Sequence, residues 1–76
     1  LFNSPFIMGQ ARALAERLTD ASQPNSRHAI ELGFRWTQGR APDAEEMALS
    51  LELVEAEGLE AFCRALFNAN RFLFVL

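Results

Sequence analysis

Few side chains in this 76-residue chain can do chemistry, and their spacing decides which chemistry is open to them. His28 is the only histidine and Cys63 the only cysteine. One imidazole supplies neither a metal cage nor the base and orienting partner of a nucleophilic triad. A single thiol has no partner for an intramolecular bridge, and Cys63 falls on the apolar side of a helical pattern, where a small buried thiol is the usual occupant. Glu45, Glu52 and Glu55 project at neighbouring angles of one helix, so a hard-cation site has to be weighed. Such cations take carboxylates from loops or converging helices that fix their geometry. Carboxylates along one exposed face form a solvated acidic surface instead. The same isolation removes paired-carboxylate acid–base work, because nothing buries or faces the two groups to separate their roles. Trp36, at helical spacing, reads as a core anchor in place of a ligand platform. No catalytic, cofactor-binding or metal-ligating residue emerges, and no cofactor is expected.

What the spacing does reveal is a structural joint, Gly39-Arg40-Ala41-Pro42-Asp43-Ala44-Glu45-Glu46. Gly39 enters the left-handed conformation of a helix C-cap without steric penalty. Pro42 lacks the N–H a continuing helix would need and pushes Ala41 toward extended backbone. Asp43 and Glu46 stand at the spacing of a capping box, each side chain within reach of the other's backbone N–H. Glu45 and Glu46 lie where the helix dipole favours negative charge. Arg40 is expected to pair with an acidic neighbour or with helix C-terminal carbonyls. The joint residues are therefore Gly39, Arg40, Pro42, Asp43 and Glu46.

Four helices must position this joint. Leu1 to Asn3 is an apolar lead-in, Ser4 a natural N-cap and Pro5 a favourable first helical residue. Ile7, Ala11, Leu14 and Leu18 then form a stripe widened by Phe6 and Ala15, and Gly9 either permits close approach of another helix, the reading favoured, or is simply tolerated. Asp20 to Asn25 reads as a polar connector broken by Pro24. Asn25 or Ser26 caps a second helix ending near Gln38, whose apolar residues Ile30, Phe34 and Trp36, with Ala29, Leu32 and Gly33, mark it as the most central. The third helix runs from Ala44 to about Glu57 on Met47, Leu51 and Val54, with Ala48 and Leu53 flanking, and Gly58 stops it. A fourth follows almost at once, from Leu59 to about Ala69, with Leu59, Phe62, Cys63, Leu66 and Phe67 inward. Asn68-Ala69-Asn70 reads as a turn. Phe72-Leu73-Phe74-Val75-Leu76 is an apolar tail that must bury itself in this core or on a partner. The fold class expected is all-α, a single bundle of four short helices with a short apolar C-terminal tail.

Composition narrows the function classes. Half of the residues are apolar and seven are Phe, enough for one small core without disulfide or metal. The formal charge of −3 opposes nucleic-acid binding, which draws on basic side chains to neutralise phosphates. Residues 1–40 carry five Arg against Glu16, Asp20 and Glu31; residues 41–76 carry seven acids against Arg64 and Arg71. An acidic third helix also argues against a helix-turn-helix reading of the second and third helices. No apolar run is long enough to span a membrane. The apolar start lacks the basic leader of a signal peptide, and an opening at Leu1 reads as part of a larger protein.

Leu1-Phe2-Asn3-Ser4-Pro5-Phe6, Gln10-Ala11-Arg12-Ala13-Leu14-Ala15-Glu16-Arg17-Leu18, Gly39-Arg40-Ala41-Pro42 with Glu46, and Ala65-Leu66-Phe67-Asn68-Ala69-Asn70 with Phe72 occur in that order. Together they resemble the C-terminal part of the planctomycete-type domain of unknown function found in large proteins with cytochrome-c-like domains. Gln38 and Arg71 depart from that pattern, and the haem signature Cys-x-x-Cys-His is absent from this chain. The resemblance implies a large, exported bacterial parent and no site in these residues. The expected function is a non-catalytic packing or interaction module, its partner the remainder of the parent chain or another protein met through the apolar tail. The alternative is an accessory part of an enzyme or haem-linked redox unit whose chemistry lies upstream, with Arg40, Glu46 or Trp36 lining a shared cleft.

Overall fold

Each break in the sequence is closed by its own hydrogen bonds. The structure, a computed structural model, describes residues 4–22 and 25–75, with side chains described through residue 69. Helix α1 spans Pro5–Ser22, α2 Ser26–Gln38, α3 Ala44–Glu57 and α4 Leu59–Val75, and the described residues contain no strand. Ser4 Oγ accepts from the Ile7 N–H at 3.2 Å and opens α1. Asn25 Oδ1 accepts from the His28 N–H at 3.0 Å, so Asn25 rather than Ser26 caps α2. Gly39, at φ 74°, ends α2 by donating to the Arg35 carbonyl. Gly58, at φ 99° and ψ 168°, donates to the Val54 carbonyl at 2.8 Å, while its own carbonyl accepts from the Phe62 N–H at 3.4 Å. One residue thus ends α3 and starts α4, in a backbone region that is essentially restricted to glycine.

The core follows from the stripes. Leu18, Ile30, Phe62 and Cys63 are sealed from water, joined by Ala11, Leu14, Ala29, Phe34, Met47 and Leu66. The Phe34 and Phe62 rings meet at 6.0 Å between centroids, tilted by 39°, a separation favoured for aromatic pairs. Both α2 and α4 touch all three other helices, whereas α1 and α3 occupy opposite corners and do not touch. Centrality is therefore shared between α2 and α4. The radius of gyration, 11.4 Å, matches the roughly 11 Å of a compact domain this long.

Five expectations need correction. First, α1 continues through Asp20 to Ser22, because no breaker precedes Pro24; Gln23 and Pro24 lie outside the described residues, as do Leu1 to Asn3. Second, α4 does not turn at Asn68 but stays helical through Val75. Asn68 Nδ2 donates to the Arg64 carbonyl one turn back at 2.7 Å, so its side chain bonds along the helix rather than ending it. Whether Phe72 to Leu76 packs in the core or on a partner concerns side chains outside those described. Third, among the described residues nothing lies within 4 Å of a Cβ at Gly9, and the close approach is at Gly33. A Cβ at Gly33 would lie 2.9 Å from Phe62 Cε2 and 3.0 Å from Leu66 Cδ1. Fourth, Trp36 is 45% exposed and Phe6 70%, so neither belongs to the core. Fifth, α3 buries only Met47 and Ser50 fully, while Leu51, Leu53 and Val54 are half-buried and Ala48 is exposed.

Candidate functional site

The joint assembles around one carboxylate. Asp43 Oδ1 accepts from the Glu46 N–H at 2.8 Å, and Glu46 Oε1 accepts from the Asp43 N–H at 2.9 Å, closing the capping box. Arg40 adds a two-pronged pair, Nη1 to Oε1 and Nη2 to Oε2 of Glu46, each at 2.8 Å. Its Nη1 also donates to the Ala41 carbonyl at 3.2 Å, and the guanidinium lies 5.7 Å from the centre of the Phe34 ring. Glu46 is thereby held well below the ordinary carboxylate range, at about 2, first by the Arg40 hydrogen bonds and then by the Asp43 N–H. Arg40 is pushed up by the same partner. Pro42 stands between the pair and the cap and fixes the backbone that brings them together.

Above the joint lies an open groove of about 410 Å³. On the α2 side stand Phe34 and Gln38, whose Nε2 donates to the Leu66 carbonyl at 3.4 Å. Helix α3 contributes Leu49, Ser50 and Leu53. Helix α4 supplies Phe62 and Leu66 as floor, and Ala65 and Ala69 as a low wall. Leu49 is 58% exposed and forms the outer lip. The volume lies within the range of ligand pockets, but the apolar lining offers few convergent polar groups. Arg40 and Glu46 line one end of the groove and neutralise each other there.

Leu49 and Ser50 carry this site and were invisible to a stripe-based reading. The available signal was a second apolar line on α3, Leu49 with Leu53, turned well away from Met47, Leu51 and Val54.

Trp36 lies elsewhere. It lines a separate concavity of about 420 Å³ with Gln10, Ala13 and Arg17, and the Arg17 guanidinium sits 5.2 Å from its ring centre. Of the three residues expected to share a cleft, the structure brings Arg40 and Glu46 together and places Trp36 apart. Cys63 is fully buried, and burial, with Glu60 adding negative charge, pushes its thiol up to about 12. It is therefore held as the unreactive thiol. His28 is exposed in the first turn of α2, and Glu45, Glu52 and Glu55 are exposed along α3. Among the described residues no group of three or more His, Cys, Asp or Glu could hold a metal ion, and no helix is long and apolar enough to cross a membrane. Comparison with protein-family models, curated proteins and solved structures returned no match.

Proposed function

We propose that this chain is a non-catalytic helical packing and interaction module, working at the C-terminal end of a larger exported bacterial protein. The observation that carries the reading is the apolar groove with Leu49 on its lip. An apolar channel of this size, bordered by a half-exposed leucine, gains free energy when another apolar surface covers it. The ordered motifs that resemble the planctomycete-type domain support the larger parent. They attach no chemistry to these residues. The ionisable groups nearest the groove, Arg40 and Glu46, already satisfy each other and the α3 cap, which supports a structural role for the pair.

Sedimentation velocity tests the proposal. The chain is run over a range of concentrations, alone and mixed with the remainder of its parent, beside a Leu49→Asn variant. Association that Leu49→Asn abolishes is expected. A particle that stays monomeric and ignores the rest of its parent contradicts the reading.

A further inference from the structure

We infer that the groove between α2, α3 and α4 receives an amphipathic helix with a basic flank, an inference that rests on the interaction reading above. Three features select this occupant. The first is length: the walls from Glu46 to Leu53 and from Phe62 to Ala69 each advance about 10 Å, two helical turns. The second is backbone accounting. An all-helical groove has no free strand edge, so an extended segment would leave its N–H and C=O groups unpaired against Phe34, Phe62 and Leu66. A helix satisfies its own backbone and brings a row of apolar side chains at i, i+3 or i+4, and i+7. The small Ala65 and Ala69 on α4 let such a helix approach closely.

The third feature is charge. Helix α3 carries Glu45, Glu46, Glu52, Glu55 and Glu57 and no basic residue. Arg40, the one cation among the described residues lining the groove, is held on both oxygens of Glu46. On α4 the charged side chains among the described residues, Glu60 and Arg64, pair with each other at 3.7 Å. Glu45 and Glu52 are exposed one turn either side of Leu49, and among the described residues neither has an ion-pair partner. A helix seated against Leu49 and Leu53 carries its flank over these two carboxylates, where Lys or Arg is attracted and Glu repelled.

The test uses two dye-labelled synthetic peptides of about 14 residues with one shared leucine face, flanked by lysines in one and by glutamates in the other. Fluorescence anisotropy reads their binding to the intact chain. The lysine peptide is expected to bind at least about tenfold more tightly in about 0.05 M salt, the gap closing in about 0.5 M salt as the charges are screened. Leu49→Asn should weaken it about tenfold or more with the helical circular dichroism unchanged. A Glu45→Gln, Glu52→Gln double variant should remove most of the preference for lysine while keeping the apolar affinity. Equal affinity for the two peptides at low salt, or lysine-peptide binding untouched by Leu49→Asn, overturns the inference. If neither peptide binds but the chain forms a dimer that Leu49→Asn abolishes, the occupant is a second copy; the inference falls and the interaction reading stands. If neither peptide binds and the chain remains a monomer indifferent to its parent, both fall.

Discussion

Helices α1 and α3 occupy opposite corners of the same bundle and use their apolar residues in opposite ways. Helix α1 buries Ile7, Ala11, Leu14 and Leu18 along its length and leaves only Phe6 and Met8, in its first turns, as large exposed apolar side chains. Helix α3 has two lines of apolar residues. Met47 is buried with Leu51 and Val54 half-buried beside it, whereas Leu49 stands open on the far side of Leu53. A helix packed at a corner can bury roughly one face. The second line on α3 is thus surplus to folding, and the groove it borders is where binding has room to act.

Paired truncations give the largest contrast. Leu18→Ala removes a fully buried side chain from the α1 seam and should cost about 3 kcal/mol in urea unfolding, within the usual range for core leucines. Leu49→Ala, the same chemical change on the open line, should stay within about 0.5 kcal/mol of the parent chain. Equal losses at the two positions would erase the distinction between the helices.

Gly33→Ala sharpens the comparison from below the groove. The added methyl group would press on the Phe62 ring and on Leu66, so a loss of about 1–3 kcal/mol is expected from overpacking. The groove floor should shift with it. An unchanged thermal midpoint would mean that Phe62 yields freely and that the floor is soft.

The acidic joint predicts a pH dependence that the α1 seam lacks. Glu46 has a folded value of about 2 against an ordinary 4.5, so the folded state holds this proton less readily than the unfolded chain. Its contribution is complete above about pH 4.5 and is lost as pH falls toward 2. Because the pair is partly exposed, the amount at stake is about 1 kcal/mol rather than the full equivalent of the shift. Glu46→Gln should flatten stability across that window and leave Leu18→Ala destabilising by the same amount at every pH. A profile as steep in Glu46→Gln as in the parent would assign the acid sensitivity to other carboxylates.

The smallest effect has the opposite sign. Gly9 is exposed in the first half of α1, and no atom of the described residues lies within 4 Å of where its Cβ would stand. Gly9→Ala should therefore raise stability by up to about 1 kcal/mol, and a loss would show that α1 has an unseen neighbour there.

Much of this fold is legible in the residues because its punctuation is local. Ser4 with Pro5, Asn25, the Gly39 to Glu46 joint and Gly58 each bond within one turn of themselves, so their types alone place the helix ends. Where punctuation is weak, legibility fails. Asn68 and Asn70 resemble a stop, yet asparagine is only a poor helix former, and neither glycine nor proline reinforces it. Trp36 and Phe6 lie at helical spacing but just off the buried arc, and hydropathy cannot tell a core aromatic from one on the rim. Gly9 and Gly33 are the same letter, and only packing assigns the close approach to Gly33. The groove was legible least of all, because it is a space between three helices, and the sequence displays Leu49 and Leu53 without showing what α2 and α4 leave uncovered.

The most direct test of the open line on α3 is amide chemical-shift mapping of the whole chain as the lysine-flanked peptide is added. The account predicts shifts confined to Phe34, Gln38 and Arg40 on the α2 side and to residues 45–53 and 62–69, with α1 and Trp36 unmoved. Shifts gathered around Trp36 and Arg17, or spread evenly over α1, would contradict it.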